Sequence, residues 1–142
     1  MEKIETYHRR QLREILGVKT RDLRNKELYK RCGTESLQKQ IMRSRWSLFG
    51  HTLRLSKETP AQLAMDYYCK LQKGEVKPGQ GRPDTTLPVL LFSEYKKYCS
   101  ENRKEKGCSV PKTQQETLAE LRKLASDRTG WRVLVKDICD VS

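Results

Sequence analysis

The sequence predicts an all-α protein, a small bundle of about six helices in two lobes. Three observations predict it. Apolar residues recur every three or four positions along most of the chain, the spacing of one helix face. Helix-capping residues precede these stretches and glycines close several of them, as at Asn25 and Gly33. Nowhere do apolar and polar residues alternate in the period of two that marks a strand.

The first element is expected over Glu2 to Leu16. Ile4, Tyr7, Leu12, Ile15 and Leu16 give it an incomplete apolar face, and Gly17 stops it. His8, Arg9, Arg10 and Arg13 form a basic patch beside that face, where His8 reads as a surface side chain rather than a ligand or base. Thr20 to Asn25 connects to a short helix, Lys26 to Cys32, with Asn25 as its cap, Leu28 and Tyr29 inward, and Gly33 ending it. Thr34 or Ser36 then caps a long helix reaching Leu55. Its apolar side is Leu37, Ile41, Trp46, Leu48, Phe49 and Leu53; its cationic side is Lys39, Arg43, Arg45 and Arg54. Arg43 and Arg54 are about three turns apart and share a face. Gly50 weakens this helix by about 1 kcal/mol. Something must approach closely there, either another helix or a phosphate backbone.

Thr59-Pro60 marks the next helix start. Leu63, Ala64, Tyr67, Tyr68 and Leu71 make its expected buried stripe, with base stacking as the alternative for the tyrosines. Gly74 to Thr86 is the only stretch rich in Gly and Pro and reads as a linker. It divides residues 1–73, a basic helical lobe, from 87–142, a second helical lobe. Leu87 to Cys99 follows as a helix with Leu90, Leu91, Tyr95 and Tyr98 inward, and Ser100 to Pro111 as a polar loop. Thr113 and Glu116 fit a capping box ahead of Leu118, Leu121 and Leu124. Ser126 or Asp127 caps a last helix through Trp131, Val133, Leu134 and Ile138.

The 142 residues are 35% hydrophobic and 34% charged, so the core is expected to be lean. The formal net charge of +12 favours an acidic partner over a merely solvated surface. Residues 1–58 hold 15 Lys+Arg and 7 Asp+Glu, which makes them the expected footprint for a polyanion. Other classes find little support. Gly-Lys-Ser/Thr of a phosphate-binding loop is missing from 74–86. Five cysteines, at 32, 69, 99, 108 and 139, lack zinc-site spacing and fit reduced thiols in a nuclear or cytoplasmic protein. A metal site would need Cys99, Cys108 and His51 to converge by folding, and no metal or other cofactor is expected. No secretory signal and no membrane-length apolar run is present. The final Cys139-Asp-Val-Ser has the four-residue form of a prenylation signal, but Asp140 is not aliphatic, and Cys139 is expected on a frayed helix end.

Three motifs carry a family resemblance. The first is HRRQLREILGV leading to NKELYKRCG. The second is RSRWSLFGHTLR. The third is Gly81-Arg82-Pro83 followed by DRTGWRVLV, Asp127 to Val135. Their order over Tyr7 to Val135 resembles the C-terminal, post-palm region of non-LTR retrotransposon (LINE-type) reverse transcriptases. Where that family often has Arg and Trp before Gly-His, this sequence has Ser47 and Leu48, with Trp46 earlier. The resemblance implies a helical thumb and its extension, holding the RNA template and primer duplex. By that analogy Arg43, Arg45, His51 and Arg54 face nucleic acid, with Arg9, Arg10 and Arg13 nearby; Lys39 and Arg82 join them as basic candidates. Trp46 and Trp131 are assigned to core.

Polymerase chemistry needs paired carboxylates on two metal ions. Asp22, Asp66, Asp84, Asp127, Asp137 and Asp140 are nowhere adjacent. The expectation is a non-catalytic module for RNA or DNA backbone, a detached fragment of such an element with Met1 an internal start. The alternative is an inactive remnant or protein-interaction module that needs a partner, either the rest of a reverse transcriptase or another protein.

Overall fold

The computed structural model describes residues 2–72, 87–102 and 113–141, and among them it is entirely helical. Seven helices occur among the described residues: α1 (Glu2–Leu16), α2 (Asn25–Arg31), α3 (Leu37–Arg54), α4 (Pro60–Gln72), α5 (Leu87–Glu101), α6 (Gln114–Ser126) and α7 (Arg128–Val141). The expected linker at 74–86, with Arg82, and most of the expected loop after Ser100 lie outside the described residues. So does Cys108.

Local chemistry sets the helix ends. Gly17 and Gly33 both have positive φ, +64° and +61°, a conformation that costs only glycine nothing. At each, the glycine N–H and the next N–H turn back to the last helical turn. Gly17 bonds Glu14 and Val18 bonds Arg13; Gly33 bonds Lys30 and Thr34 bonds Tyr29. This double closure satisfies carbonyls the helix leaves open. Ser36 caps α3, its Oγ accepting from the Lys39 N–H at 3.3 Å. Pro60 stands first in α4. Thr113 and Glu116 form the expected reciprocal box, each side chain bonding the other's backbone N–H at 3.2 Å. Asp127 caps α7 through the Thr129 N–H at 2.9 Å.

Asn25 is a correction. It is the first residue of α2, and its side-chain oxygen accepts from Arg13 instead of capping the helix.

The chain forms two compact units, Met1–Arg45 and Trp46–Ser142. The division falls inside α3, whereas the sequence places it at 74–86; α4 and α5, which flank that stretch, pack together in the second unit. The physical reason is Trp46. Its ring lies 5.9 Å from Phe49, 6.4 Å from Tyr95 and 5.8 Å from Trp131, centroid to centroid. These contacts tie the end of α3 to α5 and α7.

In the first unit α1 packs on α2, and the buried apolar side chains are Leu28 and Met42. In the second, α7 packs on α5 and α6 around Trp46, Phe49, Leu91, Tyr95, Leu121, Trp131 and Ile138. Gly50 sits where a Cβ would fall inside the Trp131 indole, so a crossing side chain is what approaches α3. The indole N–H donates to the Trp46 carbonyl at 3.2 Å, and the Trp46 indole donates to Glu94 at 2.8 Å. Tyr95 donates to Glu120 at 2.9 Å. Burial, then the neighbouring Cys99 and Glu120, push its phenol far above the ordinary value, so it stays a neutral donor.

Several faces differ from the periodic reading. In α1 Ile4, Tyr7 and Ile15 are exposed, Ile15 by 80%, while Arg13 is buried. In α4 Leu63 and Tyr67 face out, and Gln62 and Met65 are inside. Gln62 succeeds there because its amide is satisfied, donating to the Thr52 carbonyl and accepting from Arg122. Leu48, Leu124 and Val133 are exposed, and Cys139 is fully buried rather than at a frayed end.

Candidate nucleic-acid interface

The first unit carries thirteen Lys+Arg and six Asp+Glu in 45 residues. Nine of those cations are exposed: Lys3, Arg10, Lys19, Arg21, Arg24, Lys26, Lys30, Arg31 and Arg43. A small core forces this outcome. With so few apolar positions inside, the helices turn most of their long charged side chains to water.

Its site residues divide into two groups. Arg13 is committed to the fold: it is 8% exposed, and Nη2 donates to Asn25 Oδ1 at 2.6 Å and to the Leu23 carbonyl at 3.3 Å. It staples the α1–α2 connector, which leaves little of its side chain open to a ligand. Arg9 is half-buried, donating to Thr6 at 3.1 Å and lying 3.8 Å from Glu5. Arg10 is exposed and lines an open groove of about 380 Å³ with Arg13, Glu14, Val18, Lys19 and Thr20. Lys39 and Arg45, on α3, are half-buried.

Arg43 is half-exposed and gripped by Glu35. Nη1 meets Oε1, and Nη2 meets Oε2 at 2.8 Å, a two-point pair. A second groove, about 540 Å³, is lined by Gly33, Thr34, Glu35, Gln40, Arg43 and Ser44. The Gln40 amide is oriented there by the Thr34 hydroxyl at 3.2 Å and the Glu35 carbonyl at 2.9 Å.

Glu5 organises the start of α3 from α1. Its carboxylate accepts from the Tyr29 hydroxyl and from the Gln38 N–H, the latter at 3.1 Å. Burial alone would raise this carboxyl; the Tyr29, Gln38 and Leu37 donors and nearby Arg9 outweigh it and hold the group below its ordinary value. Tyr29 shifts the other way, pushed up by burial and by its bond to Glu5. His8 stacks near Tyr29 at 6.3 Å, with its Nδ1 buried and without a hydrogen bond among the described residues.

In the second unit His51 is exposed on α3. Arg54 is half-buried and donates to the Ala125 carbonyl at 3.1 Å. That carbonyl is among those α6 leaves open at its end, so Arg54 Nη1 acts as a C-terminal cap. Among the described residues no group of three His, Cys, Asp or Glu side chains could hold a metal ion. No described helix is long and apolar enough to cross a membrane.

Sequence reading passed over the exposed cations between Lys19 and Arg31, although charge density alone would have found them. It also passed over Glu35, whose reach to Arg43 depends on the turn into α3 and leaves no local signal. Comparison with protein-family models, curated proteins and solved structures gives no match to this chain.

Proposed function

We propose that the chain is a non-catalytic module that binds the backbone of RNA or DNA through its first unit. The observation that supports this reading is the density of exposed cations, nine on 45 residues. Such a surface gains free energy by releasing counterions from phosphates, and it positions a duplex without reading its sequence. Arg10 and Arg43 are the leading contacts, as exposed members of the expected set. The motif resemblance to LINE-type reverse transcriptases agrees with a primer–template duplex as the ligand, in a nucleus or cytoplasm.

The test is binding of a labelled primer–template duplex at low and moderate salt. The expected result is tight binding that weakens steeply with salt, alike for unrelated sequences. Arg10→Glu with Lys26→Glu should weaken it at least tenfold while leaving the circular dichroism unchanged. Failure of the unsubstituted folded protein to bind at low salt overturns the reading.

One observation favours a second reading, a protein-interaction module. Ile4, Tyr7 and Ile15 lie on one side of α1 and are 54%, 64% and 80% exposed. An apolar stripe outside a unit with so few buried apolar residues suits a protein partner. Concentration-dependent self-association, or lack of duplex binding, would favour it.

A further inference from the structure

We infer that the groove from Gly33 to Ser44 is a phosphodiester subsite whose resident competitor is Glu35; this rests on the nucleic-acid reading above. The groove offers one strong anion receptor, the Arg43 guanidinium. Its fork is occupied at both outer nitrogens by a carboxylate of the same chain. Carboxylate and phosphate both pair with such a fork through two oxygens, so one can replace the other on the same arginine. The pair is also poised for exchange. Arg43 is 50% and Glu35 30% exposed, and an ion pair this open contributes only about 0.2–1 kcal/mol. A phosphodiester drawn in by the surrounding positive field therefore displaces the carboxylate at little cost.

The groove's other donor suits this ligand. Ser44 places an exposed residue with a hydroxyl beside Arg43, while the Gln40 amide spends its two hydrogens on Thr34 and the Glu35 carbonyl and so holds the groove's wall in place. Glu35 then has a defined role. It lowers affinity for the backbone by holding Arg43 until a phosphate takes its place, and it penalises any ligand that cannot compensate.

The experiment measures binding of a short labelled DNA duplex at two salt concentrations by the full chain and four variants: Glu35→Gln, Arg43→Ala, the double variant, and Glu27→Gln. Glu27 is an exposed carboxylate of the same unit and controls for the change in net charge. Glu35→Gln should tighten binding by about 1.4- to fivefold, the ion-pair energy expressed as a ratio. Glu27→Gln should tighten it less. In the Arg43→Ala background Glu35→Gln should tighten binding no more than Glu27→Gln does. An equal gain from both glutamine variants overturns the subsite, as does a full gain that survives loss of Arg43. No binding by the unsubstituted protein overturns the nucleic-acid reading itself and the subsite with it.

Discussion

The two units of this chain reach stability by different routes. The second is held by rings: Trp46, Phe49 and Trp131 pack on one another, with Tyr95 against Trp46 and Phe92 against Phe49. The first has Leu28 and Met42 as its buried apolar side chains and is joined by polar staples, Arg13 to the connector and Glu5 to Tyr29 and α3. Apolar burial is not screened by salt and is little affected by pH, whereas charge-assisted hydrogen bonds are weakened by screening and respond to pH. The difference teaches that high charge density is tolerated where the fold uses some of that charge internally. What remains outside faces solvent.

The comparison breaks most visibly at Trp46. Trp46→Ala should destabilise the second unit by about 3–5 kcal/mol, as large aromatic deletions in cores do. Hydrogen exchange should show α5 and α7 amides losing protection while α1 and α2 keep theirs. Loss of protection in all four would mean that the units do not open separately.

Next in size is Gly50→Ala. A methyl group there falls inside the Trp131 ring, and overpacking of this kind costs about 1–3 kcal/mol. A denaturant midpoint equal to the unsubstituted protein's would show that α3 and α7 can move apart freely.

In the first unit Arg13→Ala leaves the Leu23 carbonyl and Asn25 side chain without their donor. It should cost about 1–3 kcal/mol, read as faster exchange in α2. Duplex binding by the molecules still folded should persist, since Arg13 serves the fold. A variant of full stability that has lost binding would assign Arg13 to the ligand contact instead.

The smallest effect is pH dependence through Glu5. Its folded value lies below the ordinary 4.5. The stabilisation is therefore complete above that ordinary value and disappears as pH falls through the lower folded one. Protection of α1 and α2 should drop on acidification over that range, and Glu5→Gln should flatten the drop. An identical slope in that variant would place the pH sensitivity elsewhere.

Helix ends were legible in the sequence because they are decided within a few residues. Gly17, Gly33, Pro60 and the Thr113–Glu116 box each act on the turn beside them, and the structure places a helix end or start at each. Helix faces were legible only in part. Leu28, Phe49, Tyr95 and Ile138 turn inward as their spacing suggests, but α1 and α4 rotate otherwise. Of the candidate residues, Arg10 and Arg43 are exposed, while Arg13 and Arg54 donate to carbonyls elsewhere in their own units.

The sequence by itself determined the helical character of the described residues, most of their helix ends and the excess of positive charge in the first 45 residues, since each depends on residue type and near neighbours. Tertiary structure alone decided that α3 changes allegiance at Trp46, that Gly50 receives an indole, and that Glu35 holds Arg43. A side chain's partner across space depends on how elements meet. A buried polar group such as Arg13 or Gln62 is stable only if that meeting supplies its hydrogen bonds.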